Sequence, residues 1–104
     1  MELMPQELKE KFKDFPLESQ DGKGLDAEVV VKYFYPYGAG TWLITEGEEQ
    51  EDGDWELFGY CHIFEWEWGS VMLSQLKEIQ APWGGGVERD LYIGEHSTVR
   101  DLMR

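Results

Sequence analysis

The chain has 104 residues, five each of Trp, Tyr and Phe, and a formal net charge of −13. That length and aromatic content fit one folded domain with its own core and exclude a disordered acidic tail. The charge argues against phosphate backbones and anionic membranes, so neither nucleic acid nor membrane is expected as a direct partner.

The chain opens Met-Glu-Leu-Met-Pro-Gln-Glu, with no apolar signal core, and no run approaches the length of a membrane helix, so the cytoplasm is the expected compartment. Pro5 suits the first position of a helix. Leu8, Phe12 and Phe15 follow at near-helical spacing, opposite Glu7, Lys9, Glu10, Lys11 and Lys13. Pro16 ends this helix, because the residue before a proline is pushed out of the α region. Residues 19–24 read as a loop. Residues 28–35 are β-branched and aromatic and predict a strand, residues 36–40 a turn, and residues 41–46 a second strand. Gly47 to Asp54 predicts an acidic hairpin loop built around Asp52-Gly53. Residues 55–65 predict a third strand, and in its continuation Phe64, Trp66 and Trp68 face one way while Glu65 and Glu67 face the other. Gly69 breaks the run and leaves a short fourth strand at 70–73.

Ser74 is placed to N-cap a short helix through Lys77 and Ile79. Pro82-Trp83-Gly84-Gly85-Gly86 is a turned loop, and residues 89–93 form a last extended piece. Ser97 or Thr98 caps a closing helix, with Asp101 in the capping-box position after Thr98. Consecutive strands with short connections pair antiparallel. The prediction is a single α+β domain over residues 1–104: an antiparallel sheet of three to five strands, an N-terminal helix and one or two short C-terminal helices.

No residues stand out as catalytic, cofactor-binding or metal-binding. Ser74 and Lys77 have the Ser-x-x-Lys spacing of some nucleophiles, but the supporting motifs are missing, and a helix cap beside a surface lysine is the simpler reading. His62 and Glu65 fall on opposite faces of a strand. With one cysteine, Cys61, and two histidines the chain is short of zinc ligands, and Cys61 reads as a buried structural thiol. The loop Glu48 to Asp54 does not match a calcium-binding EF-hand, because Gly59 falls where the bidentate Glu belongs. Neither Gly38-Ala39-Gly40 nor the Gly84–Gly86 run has the strand–turn–helix context of a nucleotide site. Arg89, between Glu88 and Asp90, reads as half of a structural ion pair.

Several segments resemble a known family. They are Gly24-Leu25-Asp26-Ala27, Thr41-Trp42, Thr45-Glu46-Gly47, Leu57-Phe58-Gly59, Leu73 to Ile79 and, above all, Val87-Glu88-Arg89-Asp90-Leu91-Tyr92-Ile93. From Leu17 onward the chain resembles the small proteins grouped as domain of unknown function 2958. Members of that family are encoded largely by phages, plasmids and other mobile elements. The resemblance implies an accessory role there and transfers no catalytic residues. The central stretch is more acidic than the family pattern requires.

Residues 33–76 contain nine acids and no Lys or Arg, so most of the negative field comes from the middle of the chain. Such a field serves solubility, and it also draws a basic protein surface. The functional expectation is a non-enzymatic interaction protein whose acids occupy the basic surface of a nucleic-acid-binding or defence protein. It would act as a DNA mimic of the anti-CRISPR or anti-restriction kind. The partner-binding residues expected are Glu46, Glu48, Glu49, Glu51, Asp52, Asp54, Glu56, Glu65 and Glu67, with Trp66 and Trp68 as aromatic anchors. Two alternatives stand beside this one. The first is a small ligand-binding domain or enzyme using the Gly84–Gly86 loop, Arg89 and Tyr92. The second is a self-associating module, so the chain is expected as a monomer or a homodimer.

Overall fold

The computed structural model describes residues 1–103. Helix α1 (Gln6–Phe12) is followed by a 3-10 turn at Gly24–Asp26 and then by β1 (Val31–Phe34), β2 (Thr41–Glu49), β3 (Trp55–His62) and β4 (Trp66–Met72). After these come α2 (Leu73–Glu78), β5 (Glu88–Arg89) and α3 (Val99–Leu102). The strands form one antiparallel sheet in the order β4-β3-β2-β1-β5. The domain is therefore α+β, and among the described residues no helix is long and apolar enough to cross a membrane.

Both faces of the sheet are covered. On the first, Val31, Tyr33, Trp42, Ile44, Trp55 and Leu57 meet Leu8 and Phe12 of α1 and Leu73 and Leu76 of α2. The amphipathic spacing of Leu8 and Phe12 makes α1 a lid over the β2–β3 hairpin, with the Phe12 and Trp55 rings 5.5 Å apart. On the second face a smaller cluster joins Leu43 to Ala27, Val29 and Val99. Here α3 closes the core. Its capping box is complete: Thr98 N–H donates to Asp101 Oδ2 at 2.9 Å, and Asp101 N–H donates to Thr98 Oγ1 at 3.3 Å.

A β-bulge organises the middle of the sheet. The register of β2 on β3 runs Ile44↔Gly59 and then Glu46↔Phe58, so Thr45 is the extra residue. Gly59 is required at this crossing, because a Cβ there would lie within 2.8 Å of the Ile44 Cα. Beyond the bulge Gly47 turns toward α1, where a Cβ would meet the Phe12 ring at 2.8 Å.

Several boundaries differ from the sequence-based expectation. β2 runs on to Glu49, so Glu48 and Glu49 are strand residues and the hairpin loop is shorter than expected. The break after β3 lies at residues 63–65, which contain no Gly or Pro, and Gly69 sits inside an unbroken β4. Stacking explains this: closing the chain at 63–65 lays Trp66 against Tyr60 and Trp68 against Phe58. Phe64 is left in the turn, 95 % exposed, and does not join the two tryptophans. Met72, not Ser74, is the N-cap of α2, and Gln75 Oε1 accepts its N–H at 2.9 Å. Of the extended piece expected at 89–93, only Arg89 is in a strand, as the second residue of β5.

Candidate functional site

The β2–β3 hairpin carries most of the acids. Glu48 and Glu56 are cross-strand partners, so their side chains leave the same face of the sheet side by side. Glu48 is exposed and Glu56 half-buried, and neither has an ion-pair partner among the described residues. Like charges placed directly opposite destabilise a sheet, and residues 33–76 supply no Lys or Arg to compensate this pair. Lys9 of α1 and Lys13 just after it line a groove with Glu48 without pairing to it. Glu49 projects from the opposite face, paired with Trp55. Glu51 and Asp52 are exposed at the tip.

Glu46 is a correction. It is 3 % exposed and cannot meet a partner. Its Oε1 accepts from Glu18 N–H at 2.7 Å and its Oε2 from Gln20 N–H at 2.9 Å. The loop after α1 is thereby tied to the sheet, and Glu18 is held at φ 73°. Gln20 is buried beside it. Its amide donates to Glu28 O and Thr45 O at 2.8 Å each and accepts from Glu28 N–H at 2.7 Å. The bulged Thr45 carbonyl, freed from the ladder, thus finds a side-chain donor. A Gln in a Gly- and Asp-rich loop gives no sequence signal for this role.

Asp52 and Asp54 are committed to the hairpin's own structure. Asp52 Oδ1 accepts from Asp54 N–H at 2.9 Å, a side-chain-closed turn. Asp54 Oδ1 accepts from Trp55 N–H at 2.8 Å and from Ser74 N–H at 3.1 Å, while Oδ2 accepts the Ser74 hydroxyl at 2.6 Å. The hydrogen bond from the Ser74 hydroxyl, helped by the backbone bond from Trp55, holds the Asp54 carboxyl below its ordinary value. Ser74 is thus an anchor between α2 and the hairpin, and its hydroxyl is turned to a carboxylate instead of to Lys77. Of the seven acids expected on this hairpin, Glu48, Glu49, Glu51 and Glu56 remain uncommitted.

β4 holds the other nominated residues. Trp66 and Trp68 project from one face, with Tyr60–Trp66 stacked at 5.1 Å and Phe58–Trp68 at 5.7 Å, both at 11°. Trp66 is half-buried against the second core cluster, while Trp68 is 40 % exposed. Glu67 pairs with Cys61 and so leaves the other face, and Glu65 sits in the adjoining turn. Both carboxylates are exposed. Tryptophans and glutamates therefore present two different surfaces that meet only along the strand's outer edge.

The remaining candidates separate in space. A cavity of about 650 Å³ is lined by Gly84–Gly86, Tyr37, Trp55, Lys9 and Lys77, but Arg89 and Tyr92 do not reach it. Tyr92 is 92 % exposed in the loop beyond β5. Arg89 makes no ion pair among the described residues, contrary to expectation. Its Nε donates to Glu2 O at 3.4 Å, and its neighbour Asp90 pairs with Lys32 at 3.7 Å instead. Alternation explains the exchange, because Arg89 registers with Tyr33 while Lys32 lies on the opposite face of β1. Cys61 is half-buried, and burial pushes its thiol up to about 11. His96 Nδ1 lies 3.0 Å from Glu28 Oε1, and this hydrogen bond raises the imidazole above its ordinary value. Among the described residues no group of three or more His, Cys, Asp or Glu converges on a possible metal position.

The family model described as "Protein of unknown function (DUF2958)" matches residues 3–103, both core clusters and all five strands included. The chain belongs to the DUF2958 family. No curated protein and no solved structure matches it. Within this DUF2958 domain, Thr45-Glu46-Gly47 and Leu57-Phe58-Gly59 coincide with the bulge, the buried carboxylate and the two tight glycines, so these segments carry the fold.

Proposed function

We propose that this DUF2958 domain is a non-catalytic interaction module of a phage or other mobile element. In the cytoplasm it docks on the basic surface of a nucleic-acid-binding or defence protein and displaces the nucleic acid as an acidic mimic. The observation that carries this reading is the in-register Glu48–Glu56 pair, which makes no ion pair among the described residues and lies in a stretch, residues 33–76, without Lys or Arg. The arrangement costs folding stability, and a partner's Lys or Arg would relieve it. Glu49 and Glu51 extend the same charge around the hairpin, while Glu46, Asp52 and Asp54 hold it in shape.

The test is capture from host lysate at low salt, followed by elution and identification. Release of a nucleic-acid-binding protein between roughly 0.1 and 0.5 M salt supports the reading, provided the domain then competes with nucleic acid for that protein. Capture that survives reversal of Glu48, Glu49, Glu51 and Glu56 to Lys refutes it. A second reading, a small-ligand pocket, is favoured by the cavity beside Gly84–Gly86, which brings Lys9 and Lys77 together with Glu2 and Glu88. Ligand-induced change in Trp55 fluorescence tests that reading.

A further inference from the structure

The long free edge of the sheet is β4. Seven residues pair with β3 on one side and, among the described residues, with nothing on the other, and the β3–β4 register contains no bulge. The opposite edge, β5, has two residues. Free edges of native sheets are usually shortened, bulged, or guarded by Lys or Pro, because alternate N–H and C=O groups otherwise wait for a partner. β4 reads Trp-Glu-Trp-Gly-Ser-Val-Met and has no Lys, no Pro and no bulge, so its guard is the charge of Glu67. The charges at this edge are Glu67 and, in the turn, Glu65. They discourage pairing with another acidic strand and favour a basic one.

Two further features fit the edge for a particular occupant. On the glutamate face lies a groove of about 330 Å³ lined by Trp42, Phe64, Glu65, Glu67, Gly69 and Val71. Gly69 leaves its floor open, since a Cβ there would meet nothing within 4 Å and the glycine has no positive φ to demand it. On the other face the half-exposed Trp68 ring offers an apolar, π-rich neighbour. A strand added to β4 alternates its side chains between these two surfaces.

We propose that β4 accepts an extended basic peptide as a sixth strand, with Lys or Arg at every second residue over Glu65 and Glu67 and apolar residues between them beside Trp66 and Trp68. This inference rests on the acidic-docking reading above and specifies the docking segment: an unstructured basic tail or loop of the partner. A second copy of the chain is a poorer occupant, because two bodies of −13 repel at low salt.

The probe is a fluorescein-labelled peptide of about ten residues alternating Arg and Val, long enough to cover the strand, compared with one of identical composition in which the Arg and Val residues are grouped. Binding is read by anisotropy at about 0.05 M salt, with amide exchange over residues 66–72 as the second readout. The alternating peptide is expected to bind and to slow exchange in β4. The grouped peptide should bind more weakly. Glu65→Gln with Glu67→Gln should weaken the alternating peptide roughly 5- to 30-fold. Gly69→Val fills the groove and should abolish binding without lowering the melting temperature. Equal binding of both peptides without protection of β4 overturns strand addition and leaves acidic docking standing. So does a free protein that sediments as a dimer with β4 already protected. If neither peptide binds while a basic protein is still captured by the hairpin acids, the inference fails alone. If no basic partner of any kind is held at low salt, both readings fail.

Discussion

Replacing Glu56 by Lys should make the domain more stable and its docking weaker. The two carboxylates of the Glu48–Glu56 pair lie on one face in register, ~6 Å apart if their side chains run parallel. At that distance two unit charges repel by about 0.7 kcal/mol in the dielectric of water, and by about twice as much where half-burial lowers the effective dielectric. Lysine converts the repulsion into an attraction of similar size. Solvent screening and the cost of ordering an exposed pair reduce the swing to about 1–1.5 kcal/mol. With an unfolding entropy of about 0.22 kcal/mol/K for a chain of this length, the melting temperature should rise by about 4–7 °C. Thermal unfolding followed by circular dichroism at low and high salt reads this directly. The rise should shrink toward zero near 1 M salt, where the screening length is about 3 Å, and Glu56→Gln should give about half of it. An unchanged or lower melting temperature at low salt would show that the pair is already relieved within the domain. A rise insensitive to salt would show that its origin is not electrostatic. Either result removes the reason for assigning these acids to a partner.

Four other outcomes are expected. Glu46→Ala should cost about 2–4 kcal/mol, because it leaves the Glu18 and Gln20 amides without acceptors; chemical denaturation measures it, and a neutral result would mean the loop can find water instead. Gly59→Ala should unfold the sheet or force β2 and β3 apart, whereas Gly69→Ala should be near neutral, and paired thermal melts separate the two. Cys61 should react with iodoacetamide at pH 8 about 100-fold more slowly than a free thiol, since its pKa is moved from 9.0 to about 11 by burial; mass spectrometry of timed samples gives the rate. The Asp54 anchor of α2 should contribute fully above the ordinary carboxyl value of 3.8 and fade as pH falls through its lowered value. Acid titrations of the parent and Ser74→Ala should differ in that window.

The features legible in the sequence are those written within one turn of chain. The Thr98–Asp101 box is a spacing of three, and the structure closes it. The strands rich in β-branched and aromatic residues, the N-terminal helix and the antiparallel order all follow from local pattern. What escaped depends on partners distant in sequence. Glu46 looks like any acid near a hairpin. Its burial depends on amides 26 and 28 residues earlier and on a bulge that no local propensity announces. The turn at 63–65 lacks the residues that usually mark one, and the aromatic stacking on either side decides it. Arg89 has acids on both sides in sequence, yet strand alternation sends them away from it and gives Asp90 to Lys32. For the surface, composition located the charge, and the fold then separated the acids that build the hairpin from those left free.

The extra residue at Thr45 has an effect that reaches beyond its own kink. Side chains along a strand alternate with a period of two, so inserting one residue reverses the phase of everything downstream. Before the bulge β2 sends Trp42 and Ile44 to the face that α1 and α2 cover. After it, Gly47 falls on that face, and Glu46 and Glu48 fall on the other. Without the reversal Glu46 and Glu48 would point into the main core and Gly47 would open to solvent. One strand therefore serves as two half-strands with independent sidedness, one devoted to packing and one to charge. A one-residue deletion at position 45 would turn the acidic hairpin inside out, whereas substitutions further along it leave the buried half of the strand untouched.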